Sequence, residues 1–401
     1  TLVTGAVAGD PLPGITTFSG AIDVLADGHN AAGAAGTEGV MTVTGLIATD
    51  QGTVEGSTVT LAGREIRFAN LGVPGAATGG ILDTDDIDLL ADQGIFLDQT
   101  ALFTFRTATG SNGRVSFGQF ALPPAPASTV DSGAAVTGSL LVDTDGTGAT
   151  FFSNDVGATR RLGSVTTISD AGSTFVNGNI FTNGGTQTYF NPVVLTNDSR
   201  MDDTGVGRTA GVYFHNTVDS TSGAEGLSVT VQRLSGNITS EPEVPLIGFA
   251  GNVGATVPLK WLRLNAFDSN ADGDFVDVGD VFGRTDIPTV ATIAVVARNA
   301  DGSINTTTPI GWDVFVQEDF TMGQNEKLTA NGSVAINANL NSVFAPGANA
   351  VQLSDVNARN TLTVDANGAN ILLLNDGRVN TPGNAGSNPP VGILLPNDAN
   401  N

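Results

Sequence analysis

Short alternating apolar runs, each ended by a cluster of Gly, Asn or Asp, recur along the whole of this chain. Met41-Thr-Val-Thr-Gly-Leu-Ile47, Thr58-Val-Thr-Leu61 and Leu227-Ser-Val-Thr-Val231 are examples, as are Ser333-Val-Ala-Ile-Asn-Ala338 and Thr361-Leu-Thr-Val364. A period of two sends successive side chains to opposite faces of an extended backbone, so each run reads as a strand. The Gly/Asn/Asp clusters supply the turns between them. Only Asp85-Asp-Ile-Asp-Leu-Leu-Ala-Asp92 suggests a helix, because its acidic residues suit a helical first turn. The chain is therefore expected to be all-β.

One internal repeat is visible. Phe152-Ser-Asn-Asp-Val-Gly-Ala-Thr-Arg-Arg-Leu-Gly-Ser-Val165 recurs 97 residues later as Phe249-Ala-Gly-Asn-Val-Gly-Ala-Thr-Val-Pro-Leu-Lys-Trp-Leu262. Strand–turn units lie between the copies, their starts roughly 15–25 residues apart, near the short end of solenoid repeats. Several of these phrases resemble the repeats of filamentous-haemagglutinin and autotransporter-like surface proteins. They are Gly185-Thr-Gln-Thr-Tyr-Phe-Asn-Pro-Val-Val-Leu195, Val212-Tyr-Phe-His-Asn-Thr-Val-Asp-Ser220, Val253-Gly-Ala-Thr-Val-Pro-Leu259 and Leu353-Ser-Asp-Val-Asn-Ala358. The resemblance covers 150–265 well and 328–375 fairly, and 1–149 weakly. It implies a right-handed parallel β-helix exported to the cell surface. The segment 266–327 departs from it, and no C-terminal membrane barrel is recognisable, which leaves the export route open. A multidomain β-sandwich is the alternative fold.

The expected organisation follows. Residues 1–120 form an N-terminal β region. Residues 121–149 are a linker and first turn, beginning with the Pro/Ala-rich Ala121-Leu-Pro-Pro-Ala-Pro-Ala-Ser128. Residues 150–265 form the repeat core, 266–327 a calcium-loop insert and 328–378 further coils. Residues 379–401 are an Asn/Pro/Gly-rich tail whose Val391-Gly-Ile-Leu-Leu395 packs on its own chain or is exchanged as a strand with a neighbour.

Charge narrows the function. Forty acidic residues against 16 Lys and Arg give a net charge of −24, and Lys260 and Lys327 are the sole lysines. Such a surface repels phosphate backbones and argues against nucleic-acid binding. It suits Ca²⁺, which prefers carboxylate and carbonyl oxygens. The chain has no cysteine, which removes disulfides, thiolate metal sites and cysteine nucleophiles. No apolar run is long enough for a membrane-spanning helix. The start at Thr1, without Met or a basic leader, reads as a processed, secreted product.

The sharpest motif is Asp268-Ser-Asn-Ala-Asp-Gly-Asp-Phe-Val-Asp-Val-Gly-Asp280. Oxygen-bearing side chains at relative positions 1, 3, 5 and 7, with Gly at 6, match the start of a Ca²⁺ loop. The twelfth position is Gly279, where an EF-hand has Glu. The proposed ligands are Asp268, Asn270, Asp272, Asp274, Asp277 and Asp280, and a structural role is expected. Asp83, Asp85, Asp86 and Asp88 form a second acidic cluster, read as a cation site or as solvated carboxylates. Asp143-Thr-Asp-Gly146 reads as a turn or a third site.

No catalytic set emerges. His29 and His215 are read as surface or core residues, and there is no nucleophile elbow. Sugar cleavage needs two carboxyls across a groove, which forty acids cannot exclude. Trp261 and Trp312 are read as packing residues. The expectation is a non-enzymatic, secreted, calcium-stabilised structural subunit of a surface filament or layer that self-associates. An adhesin passenger binding a carbohydrate or host surface is the alternative, and a polysaccharide-processing enzyme comes third.

Overall fold

In the computed structural model, residues 86–98, 102–118, 128–133, 137–206, 210–234 and 247–269 are described without a break, and outside them chiefly the strands named below. The chain divides into two units, Thr1–Asn183 with Gln187–Asn191, and Gly184–Thr186 with Pro192–Asn401.

In the first unit one sheet runs Ile15–Phe18, Leu46–Thr49, Gly80–Thr84, Leu102–Thr107, Ser139–Thr144, Val165–Ser169 and Thr186–Tyr189. A second runs Ile22–Leu25, Thr58–Ala69, Asp86–Leu97, Val115–Phe117, Thr150–Phe152 and Thr174–Val176. Val40–Thr44 pairs with the later residues of Thr58–Ala69, and Val130–Ser132 with those of Asp86–Leu97. Strands consecutive in sequence mostly alternate between the two sheets. Every pairing described in this unit is parallel. A β-sandwich is built from antiparallel pairs, so that alternative does not describe this unit.

Register turns the alternation of each strand into continuous interior columns. Phe103 pairs with Leu140 and Leu140 with Val165, all fully buried. The Phe side chains line this interior, with Phe105 edge-on to both Phe68 and Phe117 at 5.1 and 5.2 Å and Phe117 stacked on Phe152 at 5.3 Å. Offset and edge-on pairs of this kind add to the burial of each ring.

One expectation is corrected here. The helix expected over Asp85–Asp92 is not formed by 86–92: Asp86–Leu97 is a strand, with Ile87, Leu89 and Ala91 buried and Asp86, Asp88 and Leu90 half-buried. That is a period of two, and the acidic residues mark its outer face rather than a helix start. The sheets hold strands from both sides of residue 120. Leu102–Thr107 pairs directly with Ser139–Thr144, and Val115–Phe117 with Thr150–Phe152. Residues 119–127, with the Pro/Ala-rich stretch, lie outside the described residues.

In the second unit the strands visit three sheets in rotation. Asp319–Met322, Lys327–Ala330 and Val334–Asn337 are followed in the same three sheets by Asn349–Leu353, Asp355–Ala358 and Leu362–Asp365, then by Asn370–Leu373 and Val379–Asn380. Each strand pairs in parallel with the one a circuit later. Upstream, Gly211–Phe214 and Ile247–Phe249 extend the first of these sheets, and Ser199–Val206, Leu227–Leu234 and Leu262–Ser269 another. The segment expected to be an insert contributes to the same sheets. Arg284–Ile287 lies between Ile247–Phe249 and Asp319–Met322, and Thr292–Val295 pairs with Lys327–Ala330. Among the described residues no helix is long and apolar enough to cross a membrane.

Candidate functional site

The proposed calcium loop joins a hairpin. Asp268 stands near the end of Leu262–Ser269, and its backbone pairs antiparallel with Val281 of Val281–Phe282. The pairing holds the two ends of the loop side by side. Asn270, Asp272, Asp274, Asp277 and Asp280 lie outside the described residues, as do His29 and Trp312.

The other acidic clusters are engaged by the protein itself. Asp88 Oδ2 lies 3.0 Å from Arg114 Nη2, and Asp86 Oδ1 accepts the Arg114 amide at 2.7 Å. This pair bridges neighbouring strands of one sheet rather than facing an open cation site. The side chains of Asp83 and Asp85 lie outside the described residues. Asp143 and Thr144 end the strand Ser139–Thr144, and the turn follows two residues later than expected, over Asp145–Gly148, closed by the Gly148 amide on the Asp145 carbonyl at 2.9 Å. The Asp145 carboxylate accepts the Gly110 amide, and Asn112 Oδ1 accepts the Thr147 amide. Gly146 has φ +55°, and a Cβ there would lie 2.2 Å from Asn112 Oδ1, so this turn requires glycine. Burial pushes the Asp143 carboxyl up; Asp170 and Asp145 add to the rise and Arg106 opposes it. Among the described residues no group of three acidic or histidine side chains is placed to hold a metal.

The most developed polar constellation is one that sequence inspection missed. The Val-Gly-Ala-Thr loop of each repeat copy docks on a buried Val-Asp-Ser strand earlier in the chain, Val130-Asp131-Ser132 or Val218-Asp219-Ser220. Asp131 Oδ1 accepts the amides of Thr159 and Arg160 at 2.9 and 3.0 Å, and Asp219 Oδ1 those of Thr256 and Val257 at 2.9 and 3.2 Å. The Ser132 hydroxyl donates to the Arg161 carbonyl at 2.7 Å, and the Ser220 hydroxyl to the Pro258 carbonyl at 2.8 Å. Gly157 and Gly254, the glycines of the two loops, donate to the Val130 and Val218 carbonyls, both at 2.6 Å. They have φ of +73° and +68°, the left-handed region that glycine enters without strain. The same donors and acceptors thus recur twice. The carboxylate holds a loop whose amides have no strand partner, a requirement for any buried backbone polar group.

A second buried constellation lies in the first unit. Gln187, Tyr189 and Asn191 alternate inward along one strand and its exit. The Tyr189 hydroxyl donates to Gln187 Oε1 at 3.1 Å, and Gln187 Nε2 to the Ile180 carbonyl at 3.1 Å and Thr182 Oγ1 at 3.2 Å. Asn191 Oδ1 accepts from Thr167 Oγ1 at 2.9 Å, and its amide donates to Thr174 Oγ1 at 3.0 Å. Burial pushes the Tyr189 phenol far up, so it stays a neutral donor. A satisfied network of this kind fixes strand register, because a slip would strand its polar groups.

Glu225 caps a tight turn in the second unit. Burial alone would raise its carboxyl, but donors outweigh it: the Ser222 hydroxyl at 2.7 Å, the Ser222 amide at 3.1 Å and the Thr221 hydroxyl at 3.2 Å hold the group below the usual carboxylate range. A depressed folded value contributes stability above the unfolded pKa and loses it as pH falls through the folded one. Glu225→Gln is therefore expected to cost about 1–2 kcal/mol at pH 7. The gap to the unmodified protein should close as melting is followed to acid pH. A gap that stays constant with pH would show that the charge of Glu225 is irrelevant.

His215 is exposed, one residue past buried Phe214, and Trp261 is half-buried. Compared with protein-family models, curated proteins and solved structures, the chain matches none of them.

Proposed function

We propose that the chain is a right-handed parallel β-helix that serves as a calcium-stabilised structural subunit of an extracellular filament or surface layer. The observation that carries this reading is the rotation of strands through three sheets, each pairing in parallel with the strand one circuit later. Parallel pairs need long return connections, and where no helix makes the return the circuit itself must be the connection. Circuits vary in length: Val314 pairs with Val334, Leu140 with Val165 and Leu227 with Leu262. A solenoid tolerates this because each circuit contacts only its neighbours, and extra residues bulge from corners. Asp131, Asp219, Asp88 and Glu225 accept from backbone amides, hydroxyls and an arginine of their own chain. Stacked sheets also end in unpaired strand edges, which favour end-to-end addition unless capped.

Electron microscopy of negatively stained protein, with Ca²⁺ and with chelator, tests assembly. Concentration-dependent polymers in Ca²⁺ are expected, and discrete monomers in both conditions would sink the structural reading. Chelation is expected to lower the melting temperature by about 3–6 °C, from closing one cation loop at saturating Ca²⁺. An unchanged melting curve would remove calcium from the account.

One observation favours the adhesin reading. Phe151 and Phe175 stack at 4.8 Å on the outer face of their sheet, and Phe190 is 45% exposed. Outward aromatic rings on a monomeric solenoid suit ligand capture.

A further inference from the structure

The two repeat copies provide an internal control, because the same backbone path is built twice with different outer side chains. Thr150–Phe152 corresponds to Ile247–Phe249, and bridging Val156 to Val253. Buried Leu162 corresponds to Leu259, and the strand start Val165 to Leu262. Whatever differs between the copies is not needed to make the turn. The first copy has Gly163, Ser164 and Thr166 where the second has Lys260, Trp261 and Arg263.

The second copy has also made room for its tryptophan. The Leu227 amide donates to the Trp261 carbonyl at 3.0 Å as the Leu140 amide donates to that of Ser164 at 2.9 Å, so Gly226 occupies the place of Ser139. A Cβ on Gly226 would come within 2.2 Å of Trp261 Cε2, so the indole is seated on bare backbone. The guanidinium of exposed Arg263 lies 5.1 Å from the Trp261 ring centroid. An arginine held on an aromatic face keeps its in-plane donors free for carboxylates. Register places Arg200, Ser228 and Arg263 in one row; Arg200 pairs with Asp202 at 2.7 Å, and Lys260 Nζ lies 3.7 Å from Asp198. Among the described residues no carboxylate pairs with Arg263.

We infer that Lys260, Trp261 and Arg263 form a contact surface for the acidic face of a second copy of this chain. The inference rests on the self-associating reading above and names one of its surfaces. Charge complementarity selects the occupant. The chain carries 40 acidic residues against 16 basic ones, so an exposed arginine held on a seated tryptophan faces an otherwise acidic molecule. Another copy supplies the complementary carboxylates at high density. Trp and Arg are also the residue types that dominate the energetics of protein contacts.

The test converts the second copy into the first. A variant carrying Gly226→Ser, Lys260→Gly, Trp261→Ser and Arg263→Thr uses residues that this backbone already accommodates. Sedimentation velocity across a concentration series in Ca²⁺ reads self-association, and thermal melting reads folding. The variant is expected to melt like the unmodified protein and to associate at least about 10-fold more weakly. If the unmodified protein assembles and the variant assembles equally well, the surface is wrong and the structural reading survives. If the unmodified protein stays monomeric throughout, both fall. Should the variant melt early, Arg263→Glu alone decides, since it leaves the tryptophan seat intact: equal assembly overturns the inference. Binding of an acidic polysaccharide by a monomeric protein, lost on Arg263→Glu, would also overturn it.

Discussion

Asp131→Ala is expected to lower the unfolding free energy by about 3 kcal/mol. The carboxylate is 1% exposed and accepts the Thr159 and Arg160 amides through Oδ1 and the Thr129 hydroxyl through Oδ2. Alanine removes the acceptor and leaves two part-buried loop amides and the Thr129 hydroxyl without it. Each hydrogen bond to a charged group contributes about 1.5–3 kcal/mol, and an unmatched buried donor costs about 1–3 kcal/mol. Asp131→Asn keeps one carbonyl acceptor and should cost about half as much. Asp219→Ala, at the equivalent place in the second unit, should behave alike, because Asp219 Oδ1 accepts Thr256 and Val257 in the same geometry. Chemical denaturation of the four proteins checks this. An Asp131→Ala change below about 0.5 kcal/mol, the range of ordinary surface substitutions, would mean that the loop holds itself.

How much of this device was legible is instructive. The Val-Gly-Ala-Thr half is contiguous, contains the left-handed glycine and keeps its spacing, so it stands out in the sequence. The Val-Asp-Ser half sits on the preceding circuit, and that circuit differs in length between the copies. Val130 bridges to Val156, but Val218 bridges to Val253. The two halves therefore drift out of step along the sequence while remaining in contact in space. An acidic residue between Val and Ser on a strand reads as an outward, solvated residue, yet Asp131 is buried beneath the loop whose amides it accepts.

Gln187, Tyr189 and Asn191 were hidden for a related reason. In Thr186-Gln-Thr-Tyr-Phe-Asn191 both faces of the strand are polar, so alternation does not reveal which one is buried. Asp86 and Asp88 misled in the opposite direction: their acidity suggested a helix start, while the period-two burial of Ile87, Leu89 and Ala91 carried the real signal. The all-β character was legible everywhere because it rests on many short runs and their turn residues. Of the calcium motif, the described part is the hairpin pairing of Asp268 with Val281, which sequence spacing alone does not foretell.

Phe117→Ala is the substitution expected to act most strongly. Phe117 is fully buried, edge-on to Phe105 at 5.2 Å and stacked on Phe152 at 5.3 Å, so it links the ring before it to the ring after it. Truncating a buried Phe costs about 3–5 kcal/mol through lost transfer energy and the cavity left behind. The two aromatic pairs add about 0.5–1.5 kcal/mol each. Phe117→Leu, which keeps most of the volume, should cost far less. Phe190→Ala, at an exposed ring, should stay within about 0.5 kcal/mol. The form of the transition is as diagnostic as its midpoint. In a stack where each circuit touches only its neighbours, weakening one interface uncouples the circuits before it from those after it. Phe117→Ala should therefore broaden the denaturation transition or divide it, whereas Phe190→Ala should leave its slope unchanged. A sharp single transition, merely shifted, would indicate a core coupled in all directions at once and would count against the nearest-neighbour stacking on which the proposed architecture depends.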